Sequence, residues 1–490
     1  MIILTRKRFL STGLMILAFG APIAQVINVM GSARQVVTKK EAIWSASFQD
    51  DETIAQRQAR LAGALGLNVS ELVSRQEAAP PVLEDLNTAH DGYVICGIAK
   101  GTETYTGICA DPNSHSGYNS LVESMLRAGS VRMLFGYDVK YKYIDSPNYG
   151  QFFWEELNKS SDVSLSTAFL EASWRINHQQ MPTVVACGAT LSEAASRLDT
   201  EREFQSDPVK CSWIAWRWYT TKNLSTSAEG TTLSAPSQVS VYPAEAKSNS
   251  DAEVAAIANA IGIDLTDLNL IKAGPFGFKT IRTSALRLIV EPDGDYTLLV
   301  DKPAPAGDAA QVLPNSEDAD LSLIETAKKV VEDLNLAEGK EYELSLIRYL
   351  NENSGSAGSQ ANTPQAPEKT IVFDQRVNGM RFIDPEAGHI EISFDARAGK
   401  IRRIRVTLRS IIPSFGKTSE TLGIRSVEQA REQALQSIAG GGGEVIAGSE
   451  SIGYQMLGGK ATPVYRARLY DRSYPSNIAR QAIIPLLNWE

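Results

Sequence analysis

The sequence predicts an α+β protein of several domains, in which a small α/β layer precedes repeated modules of one helix and an antiparallel hairpin. Three observations lead to this prediction. Several stretches alternate apolar and polar residues around Asn-Gly or Asp-Gly turns, which is the strongest local signal for a hairpin. Other stretches carry apolar residues at helical spacing. A chain of 490 residues is also too long for one hydrophobic core, so two to four domains are expected.

The composition is that of an ordinary globular protein, with 43% hydrophobic and 21% charged residues. The formal net charge of −9 argues against nucleic acid as a partner. The sequence has no Gly-x-Ser-x-Gly, no His-Glu-x-x-His and no phosphate-binding glycine loop, and its four histidines are scattered. We therefore predict neither a metal site nor a cofactor.

The first 35 residues have the organisation of an export signal. Arg6-Lys7-Arg8 forms a positive start, residues 9–30 are mostly apolar, and Gly31-Ser32-Ala33 supplies the small residues that a signal peptidase reads. Lys7 stands where a twin-arginine signal has its second arginine, so the general and the twin-arginine routes both stay open. An uncleaved membrane anchor is a third alternative. In each case the protein is expected outside the cytoplasm, touching a membrane only through this segment.

Composition shifts divide the rest of the chain. Residues 45–222 are interpreted as an α/β domain with an N-terminal helix, and residues 223–243, rich in Ser, Thr, Ala and Pro, as a linker. Residues 244–353 are expected to form helix and hairpin modules. Residues 354–367 then predict a flexible loop, and residues 368–490 a hairpin sheet with a final helix and strand.

Within the α/β region, short apolar runs at 92–98, 131–135 and 183–186 predict strands, and 149–157 and 164–176 predict helices. Strands that alternate with helices are typical of an α/β layer.

A repeated pattern links the two halves of the chain. Ala59-x-Leu-Ala-x-Ala-Leu-Gly66 is matched position for position by Ala255-x-Ile-Ala-x-Ala-Ile-Gly262, and the similarity continues to Leu72 and Leu268. The pattern indicates a duplicated helix-start unit, with chance similarity of two amphipathic helices as the alternative. Each glycine is expected to end its helix.

The most regular hairpins lie between Ile371 and Arg409, with turns at Asn378-Gly379 and Ala398-Gly399. Alternation places one set of apolar side chains on a single face: Ile390, Ile392, Phe394, Ile401, Ile404, Val406 and Leu408. The other face carries charges: Glu391, Arg402, Arg403 and Arg405. The sequence therefore predicts a half-buried sheet.

The pattern of the second half is similar to the PepSY and thermolysin-propeptide-like modules of exported bacterial proteins. The resemblance rests on Val372-Phe-x-Gln-x-Val-Asn-Gly-Met380, Ile390-x-Ile-x-Phe-x-x-x-x-Gly399, Val427-x-x-Ala-x-x-x-Ala-Leu435 and Pro463-Val-Tyr465. It covers roughly residues 245 to 490, and these motifs are mostly core pattern. The resemblance implies a non-catalytic module that binds or inhibits a peptidase, or that serves as a scaffold.

The region from about residue 90 to residue 220 resembles the later half of caspase-like α/β domains, as found in secreted bacterial proteins that also carry propeptide-like modules. The resembling residues are Phe135-Gly-Tyr137, Ser146-Pro-Asn-Tyr-Gly-x-Phe-Phe153, Ser164-Leu-x-x-Ala-Phe-Leu-x-Ala-Ser173 and Pro182-Thr-Val-Val-Ala-Cys-Gly188. Peptidases of that class use a histidine and a later cysteine. His115 and Cys187 are the pair in that order here.

The four cysteines allow a second interpretation. Cys96 lies close in sequence to Cys109, and Cys187 to Cys211, so an oxidising compartment favours two local disulfides. Three pairings of four cysteines are possible, and the choice among them stays open. A bridge at Cys187 would be incompatible with a reactive thiolate there.

We therefore expect an exported, non-catalytic binding or scaffold protein with a protein or peptide partner. A cysteine hydrolase that uses His115 and Cys187 is the alternative. Arg402, Arg403 and Arg405 belong to the densest basic group of the sequence. They predict either a solvated sheet face or a contact to acidic groups, on a partner or on the α/β half of the same chain.

Overall fold

The structure is a computed structural model that describes residues 53–74, 93–95, 132–137, 149–160, 162–176, 178, 182–203, 205, 209–224, 239–245, 247–301, 317–356, 365–396, 398–412, 424–437, 443–471 and 479–487. These residues form seven α-helices, one 13-stranded sheet and one five-stranded sheet. The predicted α+β class is confirmed.

The helices occupy both halves of the described chain: α1 (Ile54–Leu65), α2 (Tyr149–Asn158), α3 (Leu165–Ile176), α4 (Leu191–Thr200), α5 (Asp251–Ile261), α6 (Glu317–Asp333) and α7 (Val427–Gln436). The strands of the large sheet are β1 (Tyr93–Ile95), β2 (Met133–Tyr137), β3 (Pro182–Gly188), β4 (Trp213–Asn223), β6 (Lys272–Ala273), β7 (Lys279–Arg282), β8 (Leu286–Val290), β9 (Tyr296–Val300), β10 (Tyr342–Ser356), β11 (Gln365–Val377), β12 (Met380–Arg381), β13 (His389–Asp395) and β14 (Lys400–Val406). Those of the small sheet are β5 (Tyr242–Pro243), β15 (Gly443–Val445), β16 (Ser451–Leu457), β17 (Lys460–Asp471) and β18 (Ala479–Pro485).

The large sheet has the order β1-β2-β3-β4-β10-β11-β13-β14-β9-β8-β7-β6, and β12 pairs with β11. Within it, β1 and β2 are parallel, and the other described neighbours are antiparallel. Strand β4 pairs with β10 from Trp213 opposite Ser356 to Asn223 opposite Leu346. The regions on either side of the predicted linker at 223–243 therefore share one hydrogen-bonded sheet.

The sheet also extends into the stretch 354–367 that the sequence predicts as a flexible loop. Strand β10 continues to Ser356, and β11 begins at Gln365. Strand β4 explains the first of these extensions, because it supplies hydrogen-bond partners for β10 as far as Ser356. Residues 357–364 lie outside the described residues.

One face of the large sheet, here called the front face, is apolar across six neighbouring strands. Its central cross-strand row is Leu288, Leu298, Ile404, Ile392, Ile371 and Ile347. Helices α1, α5 and α6 cover this face with buried side chains such as Leu61, Ala258 and Val330. Burial of each large aliphatic side chain contributes about 1.5–3 kcal/mol, so this layer is the main source of stability.

A bulge in β14 keeps the predicted apolar residues on the front face. Phe394 lies opposite Ile401, and Ile392 lies opposite Ile404, so β14 uses one residue more than β13 between these pairs. An extra residue in one strand shifts the alternation of side chains by one position. Ile401 and Ile404 consequently lie on one face although they are three residues apart.

The duplicated units form similar local structures. Helix α1 begins with a capping box formed by Thr53 and Gln56, and α5 begins with a capping box formed by Ser250 and Glu253. Each helix ends at a left-handed glycine, Gly66 or Gly262, as the pattern predicts. The two helices pack together so closely that a Cβ atom on Gly262 would lie 2.5 Å from the carbonyl oxygen of Arg57.

Candidate functional site

The predicted pairing of Cys187 with Cys211 is confirmed. Cys187 is fully buried on β3, its disulfide partner Cys211 precedes β4, and the two Cα atoms are 5.2 Å apart. Cys96, Cys109 and His115 lie outside the described residues. Because a sulfur in a disulfide is not a thiolate, Cys187 is not available as a nucleophile while this bridge is intact.

Removal of this bridge by the double substitution Cys187→Ala/Cys211→Ala is expected to cost about 2–4 kcal/mol of the free energy of unfolding. The reason is that the bridge closes a loop across a sequence separation of 24 and so restricts the unfolded chain. The measurement is urea unfolding without reductant. Peptide mapping of the unreduced wild-type protein is the control, because it shows whether the bridge is present. An unchanged unfolding midpoint in the double variant would contradict the prediction.

The three arginines of the predicted basic group have three different environments. Arg402 remains at the surface and pairs with Asp395 at 2.6 Å. Arg403 extends to Glu171 of α3, 3.0 Å away, so it contacts the α/β half of the same chain. Arg405 is buried 3.6 Å from Glu391, which is itself fully buried. The predicted half-buried sheet is wrong here, because α2 and α3 cover the charged face.

Glu171 is the centre of the charge layer on this back face. Its carboxylate accepts hydrogen bonds from Tyr219 at 2.6 Å, from Arg403 at 3.0 Å and from Arg348 at 3.2 Å. Burial alone raises the pKa of Glu171, but the positive charges of Arg348 and Arg403 lower it well below its ordinary value. A carboxylate held ionised in this way is a weak base, and its role is to hold α3 on the sheet.

A second group of buried charges lies between α2 and α3. Arg175 contacts Glu155 at 2.9 Å and Glu156 at 3.0 Å, and Lys159 contacts both Glu156 and Glu291 at 2.8 Å. Burial acts to raise the pKa of Glu291, but Lys159 and Arg175 lower it overall. These carboxylates are neutralised by the cations beside them, so the arrangement supports packing of the two helices.

An open site lies on the other side of the sheet, beside the duplicated helices. It is a pocket of about 300 Å³ between α1, α5, the end of α6 and the start of β9, and we call it the helix pocket. Its apolar lining includes Ile257, Ile261 and Leu334. Charged residues that line it include Arg57, Lys247, Glu253 and Glu338. A mostly apolar cleft with a few polar groups is the usual form of a binding site.

Tyr296 is the most informative polar residue of the helix pocket. It is only 7% exposed, and its hydroxyl has no hydrogen-bond partner among the described residues. Burial, and then the carboxylate of Glu338, raise the pKa of this hydroxyl, so it is a neutral donor. The hydroxyl oxygen is not one of the enclosed unpaired polar atoms of the described residues, so it opens onto the pocket. A bound ligand with a hydrogen-bond acceptor would pair with it.

Two amide side chains lie beside Tyr296. Asn259 is on the exposed side of α5, and Asn335 has a left-handed backbone, φ 48°, just after α6. Both line the helix pocket, and neither side chain has a hydrogen-bond partner among the described residues. Each amide offers one acceptor and two donors. Besides its charged residues, the pocket therefore combines an apolar surface with neutral groups that can pair with a peptide bond.

The sequence alone gives no signal for this site. The sequence pattern identifies Tyr296 only as the first residue of a strand, and Asn259 only as a polar residue of a helix. No family model, curated protein or solved structure matches this chain. The described residues contain no group of His, Cys, Asp and Glu that could hold a metal ion, and none of their helices is long and apolar enough to cross a membrane.

Proposed function

We propose that this protein is an exported, non-catalytic binding protein that holds an extended segment of a protein or peptide partner in the helix pocket. The observation that carries the proposal is the hydroxyl of the buried residue Tyr296, which lines the pocket and has no hydrogen-bond partner among the residues that the structure describes. A peptide carbonyl would accept from this hydroxyl, and the amides of Asn259 and Asn335 would pair with the neighbouring peptide group.

The size of the pocket supports a small apolar group. Its volume of about 300 Å³ is at the lower end of the roughly 300–1,000 Å³ range of ligand sites. One or two apolar side chains would fit against Ile257, Ile261 and Leu334. The Cys187–Cys211 bridge supports export, because disulfides persist mainly in oxidising compartments. The resemblance to propeptide-like modules also favours a binding role.

The proposal is tested with capped tripeptides, acetyl-Ala-X-Ala-amide, titrated into the full mature chain by calorimetry. We expect binding for X = Leu, Ile or Phe and none for X = Asp or Lys. Ala260→Trp should abolish binding, because Ala260 lines the pocket and an indole would fill it. Ala252→Trp is the matched control, since Ala252 is exposed on the same helix outside the pocket. Equal binding by the Ala260→Trp protein, or no binding of any apolar tripeptide, would refute the proposal.

Tyr296→Phe removes only the hydroxyl. We expect peptide affinity to fall about five- to tenfold, which corresponds to one neutral hydrogen bond of about 1–1.4 kcal/mol. Thermal stability without peptide should be unchanged or slightly higher, because the hydroxyl has no partner to lose among the described residues. Tyr465→Phe is the converse control: its hydroxyl donates to Glu450 at 2.5 Å, so stability should fall and peptide affinity should not. Unchanged affinity in Tyr296→Phe would exclude the hydroxyl from ligand binding.

A further inference from the structure

The two sheets are joined by a short segment that we call the junction loop, residues 382–388, between β12 and β13. On one side it contacts the small sheet. The amide of Ile383 donates to the carbonyl of Tyr454, and the amide of Met456 donates to the Asp384 carboxylate, both at 2.9 Å. Arg466 donates to the carbonyl of Ile383 at 2.5 Å. The loop therefore attaches β16 and β17 to the large sheet.

On its other side, the junction loop is held by a buried histidine. Nδ1 of His389 lies 2.9 Å from a carboxylate oxygen of Asp374, and Nε2 contacts the carbonyl oxygen of Asp384. Both partners are acceptors, so both ring nitrogens must donate. Only the protonated imidazole has two N–H groups. This arrangement therefore favours the positively charged form of His389.

A second histidine contacts the same loop in its neutral form. His178 stacks on Trp174, with ring centroids 4.0 Å apart, and its Nε2 lies 3.2 Å from the carbonyl oxygen of Pro385. Its ring is 4.8 Å from that of His389. Burial and the neighbouring charge of His389 lower the pKa of His178 well below 6.5. Two adjacent imidazoles thus favour different protonation states.

The loop itself supplies one further titrating group. Glu386 is half-buried, and its amide donates to the Asp384 side chain at 3.1 Å. Burial raises the pKa of Glu386 to about 7, with a further contribution from the charge of Asp384 and an opposing one from Arg175. Above that pH, a second carboxylate charge develops beside Asp384 within the loop.

We propose that the junction loop is a pH-responsive latch, which holds the small sheet against the large sheet when His389 is protonated and loosens when His389 loses its proton. The contacts on both sides of the loop carry this inference, which is independent of the ligand of the helix pocket. Charged or titratable groups from many elements surround the latch. They are Asp374 of β11, Arg381 of β12, Glu391 of β13, Arg405 of β14, Arg409 after β14, Arg348 of β10, Glu291 after β8, Arg175 of α3, His178 after α3, Arg466 of β17, and Asp384 and Glu386 of the loop.

The direction of the response follows from the pKa shifts. Burial alone lowers the pKa of His389, but the hydrogen bond and charge of Asp374 raise it overall above 6.5. Its stabilising contribution is therefore complete below pH 6.5 and is lost as the pH rises through the pKa in the folded protein. The contribution of protonated Glu386 is lost between pH 4.5 and about 7. The lowered pKa of His178 has the opposite effect, since it makes the folded state more stable as the pH rises, but only below pH 6.5. Above pH 6.5 His178 is neutral in both the folded and the unfolded chain and adds no pH dependence.

The test is hydrogen–deuterium exchange of the full mature chain between pH 5 and pH 9, corrected for the intrinsic pH dependence of exchange. The reporters are the amides of Ile383 and Met456, which donate across the junction. We expect their opening to increase at least tenfold from pH 6.5 to pH 9. The amide of Ile392 in the core of β13 should not change. Equal protection of the junction amides across this range would overturn the proposal.

Two variants separate the latch from a general loss of stability. Glutamine has a single donor nitrogen, and its other polar atom is an accepting oxygen, so His389→Gln cannot donate to both Asp374 and Asp384 in the way that the two ring nitrogens do. Its junction should therefore be open at every pH, and its profile should be flat above pH 6.5. Glu386→Gln fixes a half-buried side chain in an uncharged form and should fold. It should remove the part of the response between pH 5 and 7 and keep the part above pH 7. A Glu386→Gln profile identical to that of the wild type would contradict the assignment of Glu386 to the latch.

Discussion

Glu171→Gln is expected to lower the free energy of unfolding by about 3–5 kcal/mol, the usual cost of breaking a buried ion pair by removal of one partner. The substitution keeps the shape of the side chain but leaves the buried Arg348 and the mostly buried Arg403 without their shared counter-charge. Arg348 retains the rings of Trp174 and Tyr219, with its guanidinium carbon 4.7 Å and 4.3 Å from their centroids. Cation–π contact offsets only about 0.5–2 kcal/mol of such a loss.

The measurement for Glu171→Gln is chemical unfolding at pH 7, with Glu325→Gln as its matched control. Glu325 pairs with Lys328 at 2.7 Å on the exposed side of α6, and its side chain is 71% exposed. That pair should contribute no more than about 0.5 kcal/mol. Similar losses for the two variants would show that the charge layer does not hold α3 on the sheet.

The pH dependence of the Glu171 contribution has the opposite direction to that of the latch. The pKa of Glu171 is lowered in the folded protein from its ordinary 4.5, so its contribution is complete above pH 4.5 and is lost as the pH falls. In the Glu171→Gln protein, acid unfolding should therefore be less steep below pH 4.5. An equally steep acid transition in both proteins would argue against an ionised Glu171.

The charged back face shows where sequence reasoning succeeds and where it fails. Alternation correctly assigned Ile390, Ile392 and Phe394 to one side, because that pattern depends only on the local geometry of a strand. It could not show that the other side is also covered. Arg403 donates a hydrogen bond to Glu171, which lies 232 positions earlier in the sequence. Glu391 accepts a hydrogen bond from Trp174, which lies 217 positions earlier. A polar strand face has the same local pattern whether solvent or a distant helix pair covers it.

The helix pocket escaped prediction for a related reason. The duplicated pattern predicted both helix ends at Gly66 and Gly262, because a left-handed glycine is a local requirement. The pocket instead depends on how α1, α5 and α6 pack on β9, and no spacing in the sequence encodes that arrangement. Tyr296 becomes a candidate ligand-binding residue only once the folded chain places it in the pocket, with its hydroxyl unpaired among the described residues.

Gly388→Ala is expected to destabilise the protein by about 2–5 kcal/mol, because two costs add at this position. Its φ of +83° is in the left-handed region, which costs an L-residue about 1–2 kcal/mol. A Cβ atom would also lie 2.5 Å from both Cβ and Cγ of Phe382, and such overpacking costs about 1–3 kcal/mol. Phe382 is fully buried and bridges to Tyr454 of the small sheet, so relief of this contact must displace the junction loop.

Gly399→Ala separates the two costs, because Gly399 also has a positive φ, +61°, but a Cβ atom there would meet nothing within 4 Å. Its loss in urea unfolding should be limited to the backbone cost of about 1–2 kcal/mol. Exchange of the Ile383 and Met456 amides should accelerate only in Gly388→Ala, because only that substitution presses on Phe382. Equal losses of stability in the two alanine variants, with equal protection of these amides, would contradict the prediction. Close packing of Gly388 on Phe382 would then make no contribution to the contact between the two sheets.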